Sequence, residues 1–172
     1  MKRLIFLILA ASLAATATLY AQERDRNDFE PSIGIGLPTQ QVHGLAGAVT
    51  LDVGFDYRHS FWDVPIWLGV GSELQYTIPK DGCTQCRPWR LMTYTGMEYR
   101  IADEKKIKPF VGAAVGWMHQ FKNDTESPLP CNYAVLLPKV GVMFGPHLRL
   151  TFEDIISPQY LNIFNLRVGW AF

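Results

Sequence analysis

The chain has 172 residues, with 16 Lys and Arg against 16 Asp and Glu, so its formal net charge is zero. This balance provides no electrostatic footprint for nucleic acid, and we expect no partner of that kind. Hydrophobic residues make up 48% of the chain, but only its N-terminal segment is continuously apolar. The other apolar residues must therefore be spread over short elements of one domain.

The first predicted element is a cleaved secretory signal over residues 1–21. The basic start Met1-Lys2-Arg3 precedes an apolar run, and small residues then lead to Ala21, which is the layout of such a signal. The alternative is an N-terminal membrane anchor, but the run is shorter than the ~20 residues that a membrane-spanning helix needs. Residues 22–30 are predicted to form a polar segment ahead of a folded domain over residues 31–172.

Eight β-strands are predicted for that domain. Apolar and polar side chains alternate along each, which puts them on opposite faces of a sheet. Turn residues such as Pro79-Lys80-Asp81-Gly82 and Gly145-Pro146 separate the strands, and Pro138 predicts a bulge or a local break in pairing. The predicted strands are 31–39, 46–58, 65–78, 89–101, 109–121, 133–144, 147–156 and 162–172.

The two faces of the predicted sheet differ in composition. One face is apolar, and no Asp, Glu, Lys or Arg is expected on it. The other carries five acids and six bases that can neutralise one another: Asp52, Asp56, Arg58, Glu73, Arg90, Glu98, Arg100, Lys139, Arg149, Glu153 and Arg167. The same face holds ten of the 14 glycines: Gly34, Gly36, Gly54, Gly69, Gly71, Gly96, Gly112, Gly116, Gly141 and Gly169.

Two kinds of barrel satisfy this pattern. A soluble ligand-binding barrel turns its apolar face inward, whereas a transmembrane barrel turns it outward to lipid. Glycine on a water-exposed strand contributes no packing, but inside a narrow barrel it makes room for long Arg and Glu side chains. The glycines therefore favour an all-β, eight-stranded, antiparallel up-and-down transmembrane barrel with an interior charge network.

The chain resembles the small eight-stranded outer-membrane barrels typified by the OmpA transmembrane domain and OmpX. The resemblance rests on the signal segment, the strand count, the alternation and the terminal Trp170-Ala171-Phe172. It implies a monomer in the bacterial outer membrane, surrounded by outer-membrane lipids. It also implies that the barrel-assembly machinery recognises Phe172 during biogenesis.

The three cysteines fall in predicted outward-facing connections if both chain ends are periplasmic. Cys83 and Cys86 lie between strands three and four, and Cys131 lies between strands five and six. In an oxidising compartment this predicts a structural disulfide from Cys131 to Cys83 or Cys86. The alternative is a redox or metal site, but an isolated Cys-x-x-Cys is weak evidence and zinc requires a fourth ligand. We expect no cofactor or metal.

The predicted role is structural, in envelope integrity or in surface interaction. Eight strands leave an interior that side chains fill, so a general diffusion pore is not expected. The alternative is an enzyme that modifies lipid A or phospholipids, with His119 at the outward end of strand five. Against it, residue 121 is Phe where a His-x-Ser pattern requires serine, and Ser127 is near His119 only in sequence. We therefore expect no catalytic residues.

Overall fold

The computed structural model describes residues 27–41, 47–60, 65–79, 89–101, 106–121, 132–157 and 161–172. The predicted signal segment and the three cysteines lie outside these residues. The described part consists of eight strands: β1 (Asn27–Gln41), β2 (Gly47–His59), β3 (Ile66–Pro79), β4 (Trp89–Arg100), β5 (Ile107–Gln120), β6 (Asn132–Phe144), β7 (Leu148–Ser157) and β8 (Leu161–Trp170). It contains no helix with the length and apolar character required to cross a membrane.

Each strand pairs antiparallel with the next, and β8 pairs with β1, so the sheet closes into a barrel. The predicted all-β, eight-stranded antiparallel barrel is thereby confirmed. Because the strand number is even, β1 begins and β8 ends at the same end, which we call the terminal end. The connections at the opposite end, the loop end, follow β1, β3, β5 and β7.

Strand β1 begins four residues earlier than predicted, at Asn27 instead of Pro31. Residues 27–30 were assigned to the polar segment, but they pair with β2 from Asn27 opposite His59 onward. Their alternation is regular: Glu30 is buried in the barrel, whereas Phe29 lies on the other face beside Phe55. The polar composition of this segment concealed its strand character, because in this barrel the polar side chains are the inward ones.

At the terminal end, backbone hydrogen bonds join the last two residues of the chain to β1 and to the turn before β7. Phe172 donates its N–H to the Phe29 carbonyl over 2.9 Å, and Ala171 donates to the His147 carbonyl over 2.8 Å. The His147 ring stacks on Trp170 with centroids 5.2 Å apart, and its Nδ1 lies 2.8 Å from the Ala171 carbonyl oxygen. The aromatic C-terminal residues are thus integral to barrel closure.

The apolar face points outward. Ile33, Met97 and Val115 are 65%, 60% and 60% exposed, whereas Glu73 and Arg149 inside are 0% and 1% exposed. This arrangement is the one predicted for a transmembrane barrel, and it excludes the soluble barrel with an apolar interior. A barrel wall of this kind is compatible with a hydrocarbon surrounding because its backbone hydrogen bonds are made between strands.

Asp154 is an exception to the predicted faces. It alternates along β7 with buried Glu153 and Ile155, so it lies on the exterior with Phe152. The expectation that the apolar face carries no acid or base was therefore wrong at this residue. The predicted apolar face of this strand ended at Phe152, but the alternation continues to Asp154.

Pro138 marks a local break in pairing and not a bulge. Leu136 pairs with Ile156 and Lys139 with Glu153, so the register is the same on both sides of the break. The two positions between them are missing from the ladder, whereas Pro138 remains paired with Ala113 on β5. Proline has no N–H to donate, which explains why only one side of β6 is affected.

Candidate functional site

The charged interior is the candidate site, and at the terminal end it forms a balanced layer of three arginines and three acids. Arg58 donates to Glu30 over 2.7 Å and lies 3.5 Å from Glu98. Glu98 accepts from Arg100 Nε over 2.8 Å and from Arg149 Nη1 over 3.0 Å. Asp28 completes the layer by accepting from Arg100.

Aromatic rings support two of these arginines. The Arg100 guanidinium lies 3.6 Å from the centre of the Trp67 ring, and that of Arg149 lies 3.5 Å from the centre of Phe110. Such stacking satisfies the face of a guanidinium whose edges are hydrogen-bonded to carboxylates. The layer is therefore both neutral and closely packed.

Arg167 is the centre of the middle layer. Its guanidinium donates to Glu73, to Asp56 over 3.1 Å and to the Tyr94 hydroxyl over 3.0 Å. Glu153 lies 3.5 Å from Nη1, and Asp52 lies 3.8 Å from Nε. The Ser32 hydroxyl also accepts from Nη2, so six interior groups from five other strands converge on one cation.

Lys139 is the second cation of the middle layer. Its Nζ lies 3.5 Å from Glu153, 3.9 Å from Asp56 and 4.0 Å from the centre of the Tyr94 ring. Together, Arg167 and Lys139 face four carboxyl groups, those of Asp52, Asp56, Glu73 and Glu153. The middle layer therefore has more acids than bases, and each of its two cations is shared.

The interior at the loop end is mainly apolar. Met92, Met118, Leu137, Ile155 and Ile163 form a buried cluster there with Tyr94, Ala114, Tyr133 and Val135. Arg90 is buried in the same half of the barrel and donates to the hydroxyls of Thr77 and Thr50, the latter over 3.3 Å. Among the described residues it forms no ion pair with a carboxylate.

The interior glycines leave space for these long side chains, as predicted. A Cβ added to Gly54 would lie 2.7 Å from Glu73 Cγ, and one added to Gly34 would lie 2.7 Å from Arg167 Cγ. A Cβ on Gly71 would meet the Tyr94 ring, with the hydroxyl oxygen only 2.6 Å away. The glycine positions and the charge network are therefore two parts of one packing arrangement.

The space that remains between the layers is small. A cavity of about 30 Å³ lies between Gly69, Gly96 and Gly112 and the side chains of Arg58 and Lys139. It has room for about two water molecules. Buried side chains of the two ion-pair layers and the apolar cluster occupy the described interior on both sides of this cavity.

The structure places every predicted interior charge inside the barrel: Asp52, Glu73, Arg90, Glu98, Arg100, Lys139, Glu153 and Arg167, together with Asp56, Arg58 and Arg149. All except Arg90 belong to one of the two ion-pair layers. Asp28 and Glu30 were missed, although continued alternation into residues 27–30 could have revealed them. Cys83, Cys86, Cys131 and Ser127 lie outside the described residues.

His119 lies on the exterior near the loop end. Its Nδ1 is 2.7 Å from the Asn132 side-chain oxygen, and its ring meets Phe121 edge to face at 5.2 Å. An amide oxygen can orient an imidazole, but it does not supply the negative charge of a catalytic carboxylate. Among the described residues, no group of three or more His, Cys, Asp or Glu is arranged to hold a metal ion.

Comparison with known proteins identifies the fold. No protein-family model matches the chain, and no curated protein sequence matches it. Its fold is that of the small eight-stranded outer-membrane barrels.

Among solved structures, neisserial surface protein A superposes with a TM-score of 0.61 at 11% identity, covering 84% of this chain and 95% of that one. The N-terminal β-barrel domain of Pseudomonas aeruginosa OprF gives 0.56 at 12% identity, covering 86% and 98%. OprG from the same organism gives 0.53 at 11% identity, covering 87% and 97%.

Proposed function

We propose that the protein is an integral barrel of a bacterial outer membrane with a structural, envelope-integrity or surface-interaction role. The observation that carries this proposal is the inverted polarity of the closed barrel. Exposed Ile, Leu, Val and aromatic side chains form the exterior, and buried ion pairs occupy the terminal-end and middle parts of the interior. Such a wall is insoluble in water but suited to hydrocarbon, and its barrel fold is shared with known outer-membrane proteins.

The filled interior supports a role other than general diffusion. The terminal-end and middle layers are held by buried ion pairs, and an apolar cluster follows them toward the loop end. Opening a passage would require separating these charges in a low-dielectric interior, which costs several kcal/mol for each pair broken. We therefore propose a monomeric barrel that acts as a rigid carrier of its loop-end connections.

Two further features belong to this proposal. Phe172 would be the residue through which the barrel-assembly machinery recognises the last strand. A disulfide from Cys131 to Cys83 or Cys86 would join two loop-end connections and stabilise the surface that faces outward. No cofactor is required for any part of this role.

The first experiment tests location and architecture. Outer-membrane fractionation should recover the protein, and its folded form should migrate differently from the boiled form on a gel. Vesicles containing the purified barrel should exclude small sugars as well as protein-free vesicles do. Recovery of the protein in a soluble periplasmic extract would overturn the membrane assignment, and rapid sugar entry would overturn the filled interior.

The second experiment tests the envelope role against an enzymatic one. A strain lacking the protein should become more sensitive to detergent and to large antibiotics, with an unchanged pattern of lipid A and phospholipid acyl chains by mass spectrometry. A complementing copy with His119→Ala should restore resistance fully, because the proposed role does not use this histidine. An acyl pattern that depends on His119 would instead favour the lipid-modifying enzyme.

A further inference from the structure

We propose that Asp154 and Pro138 form a docking site within the membrane for a membrane-spanning partner that carries a lysine or arginine. The proposal goes beyond the envelope role, but it rests on the membrane location proposed above. It begins from the acidic side chain on the otherwise apolar exterior of β7. Ionisable residues that face hydrocarbon are costly, and in membrane proteins they commonly mark functional contacts.

Asp154 lies at the depth of the hydrocarbon. It is six residues along β7 from Leu148, which pairs with Trp170 at the terminal end. A strand tilted by ~40–45° rises about 2.4 Å per residue, so Asp154 stands ~15 Å above Leu148 in an apolar band ~25 Å tall. Ser157, where β7 ends, is only three residues further along, or ~7 Å, so the carboxyl group lies in the loop-end half of the apolar band.

The carboxyl group has no partner among the residues that the structure describes. Its Oδ1 is shielded by neighbouring atoms but accepts no hydrogen bond, and no described residue forms an ion pair with it. An acceptor of this kind in hydrocarbon gains free energy from any donor that reaches it, because the alternative is an unsatisfied polar group.

Pro138 leaves a second acceptor at the same place, the main-chain carbonyl of Asp154. Gly145 donates its N–H to the Lys106 carbonyl, so the odd-numbered residues of β6 direct their backbone hydrogen bonds to β5. The even-numbered residues of β6, among them Pro138, therefore face β7. By the bond from Ala171 to His147, even-numbered β7 residues likewise face β6. The register is the same on both sides of the break, so Pro138 stands opposite Asp154. Proline therefore withholds the N–H that the Asp154 main-chain carbonyl would receive.

Two aromatic rings border these acceptors and favour a cationic partner. Phe164 pairs with Asp154 in the β7–β8 register, and Phe152 lies on the same face with its ring 6.3 Å from that of Phe164. Both rings are substantially exposed, at 46% and 37%. Carboxylate, carbonyl and ring faces all attract a cation, and an ammonium or guanidinium group would use all three.

The described exterior of a second copy of this barrel does not supply such a cation. On the exterior face of the eight strands, no described residue is Lys or Arg; all the strand arginines and Lys139 are interior. The chemistry of the site therefore points to a different membrane-spanning chain, with its Lys or Arg in the loop-end half of the bilayer.

The test uses the full barrel folded into dimyristoylphosphatidylcholine vesicles, with folding verified for every variant by heat-modifiable migration. The probe is a dansyl-labelled helix of ~20 apolar residues with one Lys about six residues from one end, at the depth of Asp154, and the reference helix has Leu at that position. Energy transfer from barrel tryptophans to dansyl reports association. We expect the Lys helix to bind at least ~tenfold more tightly than the Leu helix.

Asp154→Leu should abolish this preference, and Pro138→Ala, which restores the missing N–H, should reduce it. Thr93→Val, a change on the exterior of β4, is the matched control and should leave it unchanged. Equal binding of the two helices to the wild type would overturn the proposal, as would a Lys preference that persists in Asp154→Leu. Asp154-dependent association of barrels without any helix would also overturn it, in favour of a second copy. These results leave the membrane location itself untouched, since folding is measured separately.

Discussion

Replacing Arg167 by methionine should destabilise the barrel more than any other single removal of an interior cation. The change keeps most of the side-chain length but leaves four carboxyl groups, those of Asp52, Asp56, Glu73 and Glu153, with fewer cations. Of these four, Lys139 then contacts only Asp56 and Glu153, and Arg58 contacts only Asp56, over 3.4 Å. Breaking a buried ion pair from one side typically costs ~3–5 kcal/mol, because the remaining charge stays desolvated. We expect a loss of that size in the free energy of unfolding.

The assay is urea unfolding of the barrel in vesicles, followed by tryptophan fluorescence and by heat-modifiable migration. Arg90→Met is the matched control, because Arg90 is equally buried but donates to hydroxyl groups and not to carboxylates. Its cost should be smaller, ~1–3 kcal/mol for the hydrogen bonds lost.

The double variant Arg167→Met, Glu73→Gln should recover part of the loss, since one of the orphaned charges is removed with its partner. A loss below ~1 kcal/mol in the free energy of unfolding of Arg167→Met would refute the convergence of charges on Arg167. A loss that small is typical of a single solvent-exposed ion pair. Equal costs for Arg167→Met and Arg90→Met would refute the distinction between the ion-paired middle layer and the loop-end interior.

Three further predictions concern the faces and the packing of the barrel. Val53→Arg places a charge on the exterior and should cost ~2–4 kcal/mol near the midplane, so assembly measured by heat-modifiable migration should fail, whereas an arginine in the connection 80–88 should be tolerated. Gly71→Val should block folding through its clash with the Tyr94 ring, and Tyr94→Ala in the same chain should restore it; failure of the double variant would show that the clash is not the cause. Asp154→Leu should raise the urea midpoint in vesicles that contain no partner, because an exterior carboxyl is replaced by an apolar group; a lower midpoint would contradict its exterior position.

The sequence was sufficient for the strands and for most of their faces because alternation is a local property of the chain. Val49, Leu51 and Val53 define the exterior of β2 without any knowledge of its neighbours, and Asp52 and Asp56 are thereby assigned to the interior. The prediction was wrong at Asp28 and Glu30, where a polar segment forms the start of a strand, and at Asp154, where an acid interrupts an apolar face. In both cases composition was given more weight than period.

What the sequence determined by itself is therefore the barrel class, the apolar exterior and the set of residues that had to neutralise one another inside. Only the tertiary structure decided which charges meet, such as Arg167 with Glu73 and Arg149 with Glu98, which are 94 and 51 residues apart. The physical reason is that a two-residue period fixes the side of the wall but not the height along it. Height depends on the stagger between strands, which arises only when β8 pairs with β1 and the barrel closes.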